Sequence, residues 1–224
     1  MKKILISGLT LVLVLGLASV SMASTVYMDV WSGGEREASS YSKDLSQISI
    51  GLDMPIDDFK LACNLTSGTI NDFIDRDLYH CDVDTASILL KGGYALINDR
   101  QLRLDITGGF YDRKIDWDYL YNDDIETESF YSLMLGFDAK LKLDKKAWID
   151  FSYSFGLNPQ VDIDYYSYSE TEDLDSISLL NLKFNYLFTR EFGASLGYNC
   201  ETIDYENSSK EKYSGITVGA FFKF

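Results

Sequence analysis

Proline is nearly missing from this chain, with two in 224 residues, and there are only three cysteines and one histidine. So few prolines argue against a loop-rich secreted module. Cys63, Cys81 and Cys200 are an odd number without metal-ligand spacing, which argues against a cysteine-based metal centre and allows one disulfide at most, with at least one thiol remaining. Cys63 and Cys200 fall on the apolar phase of their segments and read as small hydrophobes. Basic residues are short too, 20 against 35 acidic for a net charge of −15, which excludes nucleic acid as a partner. After the first twenty or so residues no apolar run is long enough for a membrane-crossing helix. Any membrane crossing must then be a closed barrel, because lipid cannot satisfy an open sheet edge. Phosphate-binding glycine loops, Gly-x-Ser-x-Gly and metal-ligand clusters are absent from the sequence. No cofactor is expected.

The two ends of the chain are informative. Lys2 and Lys3 precede an apolar stretch from Ile4 to Val20, and Ser21-Met22-Ala23 places small residues at −3 and −1 of a cleavage site. Residues 1–23 read as an export signal, leaving 24–224 as the mature domain. At the other end Ile216, Val218, Ala220, Phe222 and the terminal Phe224 alternate with other side chains, with Tyr213 and Gly215 just upstream. This period-2 run resembles the C-terminal assembly signal of bacterial outer-membrane β-barrels, small porin-like and OmpA-type proteins. The resemblance implies an outer-membrane location, contact with outer-membrane lipid, and recognition by the barrel-assembly machinery.

Between the ends, alternating segments predict ten strands, with eight or twelve as alternatives, near 25–34, 45–54, 58–67, 85–97, 101–114, 129–143, 146–158, 176–188, 191–204 and 212–224. Short links at 55–57, 98–100, 144–145 and 189–190 alternate with long ones at 35–44, 68–84, 115–128, 159–175 and 205–211. That rhythm predicts an all-β, antiparallel up-and-down transmembrane barrel with short periplasmic turns and long extracellular loops. Aromatics at 14% suit the interfacial girdles of such a barrel.

One face of the strands is apolar; the other carries Asp29, Asp53, Lys60, Lys91, Arg103, Asp105, Arg113, Asp138, Lys140, Lys142, Asp150, Lys183 and Glu201. These are the expected lumen charges. Their near balance of sign predicts pairing across a narrow interior and a mostly plugged lumen, with a narrow channel as the alternative. The excess acid is expected outside. Asp116, Asp118, Asp123, Asp124, Glu126 and Glu128 form one acidic stretch, and Asp162, Asp164, Glu170, Glu172, Asp173 and Asp175 a second. Tyr119, Tyr121, Tyr165, Tyr166 and Tyr168 are threaded through them. Such a surface either takes divalent cations or a basic partner, or is simply solvated.

His80 is the only histidine, and Asp82 and Asp84 beside it resemble half of the catalytic set of the omptin proteases, ten-stranded barrels. No Asp-x-His or other matching motif accompanies it. The expectation is a non-enzymatic envelope protein, structural or interacting through its acidic tyrosine-rich exterior; a narrow pore and a rim enzyme are the alternatives.

Overall fold

The computed structural model describes residues 24–38, 41–74, 80–119, 125–165, 168–206 and 210–224. The expected export signal, Tyr121, Asp123, Asp124 and Tyr166 lie outside the described residues. The strands are β1 Thr25–Ala38, β2 Tyr41–Ile56, β3 Phe59–Ile74, β4 His80–Asn98, β5 Leu102–Tyr119, β6 Ile125–Lys142, β7 Ala147–Asp164, β8 Ser169–Leu187, β9 Phe192–Tyr205 and β10 Lys210–Lys223. Each pairs antiparallel with its chain neighbours, and β1 pairs with β10 to close the barrel.

The expected short turns are present, and three share one device. Asp99 Oδ1 accepts from the N–H groups of Gln101 (2.7 Å) and Leu102 (2.6 Å). Asp144 Oδ1 does the same for Lys146 and Ala147, and Thr189 Oγ1 for Glu191 and Phe192. A short side-chain acceptor thus satisfies two N–H groups that the turn leaves outside the ladder. The fourth turn uses Asp57 in the left-handed region, φ 52°. The two backbone donors hold the Asp99 carboxyl below the usual carboxylate range. A depressed folded-state pKa means that its stabilisation is present above the unfolded pKa and lost as pH falls through the folded one. Asp99→Ala should therefore lower the denaturation midpoint at neutral pH and leave it unchanged at pH 2, measured by tryptophan fluorescence in lipid vesicles.

The long links differ from expectation. Four of the five are largely strand: β3 runs to Ile74, β4 starts at His80, β5 reaches Tyr119, and β7 and β8 approach to 164 and 169. Asp116 and Asp118 therefore belong to β5, and Glu126 and Glu128 to β6. A strand of 18 residues, such as β5, is about 60 Å long, whereas a tilted crossing needs about 9–11 residues. The surplus projects on the side opposite the short turns. The barrel is a membrane section with an extracellular section stacked upon it.

The two sections have opposite polarity. Along β5 the outward side chains run Leu104, Ile106, Phe110, then Asp112, Lys114, Asp116, Asp118. The inward ones run Arg103, Asp105, Thr107, then Tyr111 and Arg113, then Ile115 and Trp117. Apolar-out suits lipid; apolar-in suits water on the outside. Along β7 the same inversion is made by the backbone. Leu157 pairs with Leu133 but Gln160 pairs with Tyr131, so Asn158 (φ 47°) and Pro159 form a bulge. Below the bulge the odd-numbered Phe155 and Leu157 face out; above it Val161 and Ile163, also odd, are buried inside.

Candidate functional site

The lumen has three levels. Nearest the short turns, a charged network surrounds a cavity of about 160 Å³. Lys60 Nζ lies 2.9 Å from Asp138 and 3.4 Å from Asp53. Lys91 Nζ lies 2.6 Å from the other Asp138 oxygen and donates to Ser152 at 2.8 Å. Lys140 bridges Asp53 (3.9 Å) and Asp150 (3.6 Å), and Trp148 Nε1 donates to Asp150 at 2.8 Å. Arg103 pairs along its own strand with Asp105 (2.9 Å) and reaches the carbonyls of Asp57 and Phe59. Lys183 pairs with buried Asp29, which also accepts from Ser195 at 3.0 Å, and lies over the Tyr27 ring. A side chain at Gly51 would collide with that ring, so the glycine leaves the room Tyr27 occupies. Of the thirteen lumen charges expected from sequence, ten belong to this level. Lys142 ends β6 exposed and stands outside the network.

The middle level holds the remaining pair. Arg113 is 1% exposed; its Nη1 donates to Glu201, which also accepts from the Tyr111 hydroxyl. The guanidinium lies 3.9 Å from the centroid of the Tyr213 ring, and Tyr213 in turn donates to Glu211 at 2.8 Å. Opposite charges this close, with both Glu201 oxygens accepting hydrogen bonds, offset the cost of burying them.

The third level corrects the expectation of a lumen plugged by charge pairs. Across the extracellular section the interior is filled by Ile70, Val83, Ile115, Phe130, Val161, Ile177 and Ile203, each fully buried, with Trp117, Ile163 and Leu174 packed among them. Salt bridges line the lower lumen; apolar side chains close the upper one. The sequence reading missed this plug because Ile70, Val83, Ile115 and Val161 lie within segments taken as loops, while Phe130, Ile177 and Ile203 lie at the ends of expected strands, next to those segments.

The acidic stretches are divided by the wall. On the outside, Asp82 and Asp84 of β4 stand beside Asp116 and Asp118 of β5 in the ladder. Burial, then the Asp116 and Asp82 carboxylates, pushes the Asp84 carboxyl up. Lys114 pairs with Asp116 at 2.7 Å, and Asp162 accepts from Thr171 at 2.7 Å. Facing inward at the rim are Glu126 and Glu128, with Tyr119 donating to Glu126 at 3.2 Å. Tyr165 stacks on Tyr168, and its hydroxyl pKa is pushed up to about 12 by burial and then by Glu126, Tyr168 and Glu170. No group of three or more His, Cys, Asp or Glu among the described residues is placed to hold a metal ion. The backbone of His80 opens β4, while its side chain lies outside the described residues. Asp82 and Asp84 point away from the barrel mouth, whereas Val83 and Thr85 between and after them are buried inside.

Compared by sequence, the chain matches no family model and no curated protein. Compared by structure, it is similar to the outer membrane protease OmpT of Escherichia coli, with a TM-score of 0.60 at 8% identity over 91% of this chain and 94% of that one. It is also similar to the translocator domain of the autotransporter NalP of Neisseria meningitidis, with a TM-score of 0.51 at 13% identity over 91% and 89%. The fold is that of a bacterial outer-membrane β-barrel. At such identities the likeness carries the architecture and no chemistry. It agrees with the apolar outer belt, where Met28, Ile48, Leu61, Ile106, Leu133, Leu196, Ile216 and Val218 are all exposed on the isolated chain. Aromatic pairs Phe59–Tyr94, Tyr186–Phe188 and Phe222–Phe224 mark the level of the short turns, as an interfacial girdle would.

Proposed function

We propose that this protein is a non-enzymatic, non-conducting barrel of the bacterial outer membrane, exported with removal of residues 1–23. Its raised acidic, tyrosine-bearing extracellular section is the surface it presents to divalent cations or to basic partners. The observation that carries the reading is the apolar plug. A conducting lumen needs a continuous polar path, and seven fully buried apolar side chains interrupt it above Arg113. The outward direction of Asp82 and Asp84 supports the non-enzymatic part, since a hydrolytic site at the mouth needs its acids facing the cleft.

The test is single-channel recording from the folded protein in a planar bilayer. The unaltered chain is expected to be silent. Thinning the plug with Phe130→Ala and Ile177→Ala together should produce discrete current steps from protein shown to be folded. Steady steps from the unaltered chain would make transport the leading function instead.

A further inference from the structure

Between the plug and the lower network lies a chamber of about 100 Å³, bounded by Trp31, Arg113, Asn64, Leu89, Leu179 and Ser154 among others. Most polar groups around it have partners within the protein. Ser49 shares a hydrogen bond with Thr66, Gln47 donates to Thr85, and Asn181 donates to Asn199. Three polar atoms of the lining residues are different: Trp31 Nε1, Arg113 Nη2 and Asn64 Oδ1 are buried with no hydrogen-bond partner among the described residues. Trp31 is 6% exposed and Arg113 1%, so bulk water does not serve these donors.

The Arg113 donor is also held in place. Arg113 is fixed by Glu201 on one arm and by the Tyr213 ring beneath it, which leaves Nη2 as a presented N–H group. Groups that are already rigid lose little freedom on binding, which favours recognition. Charge sets the ligand class. Glu201 already balances Arg113, so a charged guest would bring an uncompensated charge into the barrel. A neutral guest with a carbonyl can accept from Trp31 and Arg113, while its own N–H donates to Asn64. Leu89 and Leu179 offer apolar wall for a small alkyl group. The chamber shares Asn64, Leu89, Ser152 and Asn181 with the lower cavity, so the route of entry is from the short-turn side, below the plug.

We propose that the mid-lumen chamber bounded by Trp31, Asn64 and Arg113 is a binding site for a small neutral amide-type solute. The site is a blind pocket of the lumen, separate from the acidic exterior.

The probe is acetamide, titrated into the full-length folded protein labelled with 15N, following the three tryptophan indole N–H resonances. The expected result is a saturable shift of the Trp31 resonance, with those of Trp117 and Trp148 unmoved. Asn64→Leu should weaken the apparent affinity at least tenfold. Leu89→Phe, which narrows the chamber from its apolar side, should abolish saturation while leaving the Trp31 resonance in place; this variant serves if Asn64→Leu does not fold. Acetate, with a similar shape but a charge, should give no saturable shift. A linear drift of all three resonances, or saturation unaffected by either variant, would mean that the chamber holds water only and would overturn the assignment.

Discussion

Replacing Glu201 with alanine should destabilise the folded barrel by about 3–5 kcal/mol, the usual cost of breaking a buried ion pair from one side. Arg113 is 1% exposed, and Glu201 accepts hydrogen bonds from its Nη1 and from the Tyr111 hydroxyl. Removing the carboxylate leaves the buried guanidinium against the Tyr213 ring and the Tyr111 hydroxyl, without its hydrogen-bonded counter-charge. The same side chain cannot escape to bulk water, because it stands almost fully buried beneath the apolar plug. The informative variant is the double one. Arg113→Met with Glu201→Leu removes both charges and fills similar volume, so its loss should be well under that of Glu201→Ala, within about 1–2 kcal/mol of the unaltered chain. Guanidinium unfolding in lipid vesicles, followed by tryptophan fluorescence, reads all three. If the double variant is as unstable as the single one, the pair contributes through shape rather than charge, and the three-level account of the lumen loses its middle.

Much of this architecture is legible in the sequence, and the part that is not has a specific cause. Ten strands, the four short turns and the lumen charges follow from period-2 alternation, which a membrane section imposes without exception because its outside is lipid all round. The extracellular section breaks that regularity in two ways. Along β5 the run Arg113-Lys114-Ile115-Asp116-Trp117-Asp118 still alternates, but its apolar members are out of phase with Leu104 and Ile106. Read against one fixed face, such a run looks like the end of a strand. Along β7 the apolar phase continues unbroken through Val161 and Ile163, yet Asn158-Pro159 look like a stop. They are a bulge that turns the strand over. The signal was present in both cases, as a change of phase in one strand and as an asparagine–proline step inside a continuing alternation in the other. What the sequence could not show is which neighbour each charge meets. The pairing of Lys60 and Lys91 on a single Asp138 joins residues 78 and 47 positions apart, and depends on barrel closure.

The inversion of polarity can be tested directly on β6 with one substituent at three positions. Leu135 faces outward within the apolar belt, Ser129 faces outward three residue pairs higher, and Phe130 faces inward beside it, fully buried. Lysine at 135 places a charge against lipid and should cost about 2–4 kcal/mol, or less if the side chain can reach the interface. Lysine at 129 stands on the wet face of the extracellular section, next to Asp162 in the ladder, and should change stability by no more than about 0.5 kcal/mol. Lysine at 130 both removes an aromatic from the plug and buries a charge there. Its loss should equal or exceed the 3–5 kcal/mol typical of deleting a buried phenylalanine. A simple membrane barrel, with lipid outside and water inside along its whole length, predicts a different order: 130 tolerated as a lumen position, 129 and 135 penalised together. The measurement is the unfolding free energy of each variant in the same vesicles. The rank 130, then 135, then 129 is the signature of two stacked sections, because only a wall whose wet and dry sides exchange partway up penalises an inward lysine above the belt more than an outward one within it.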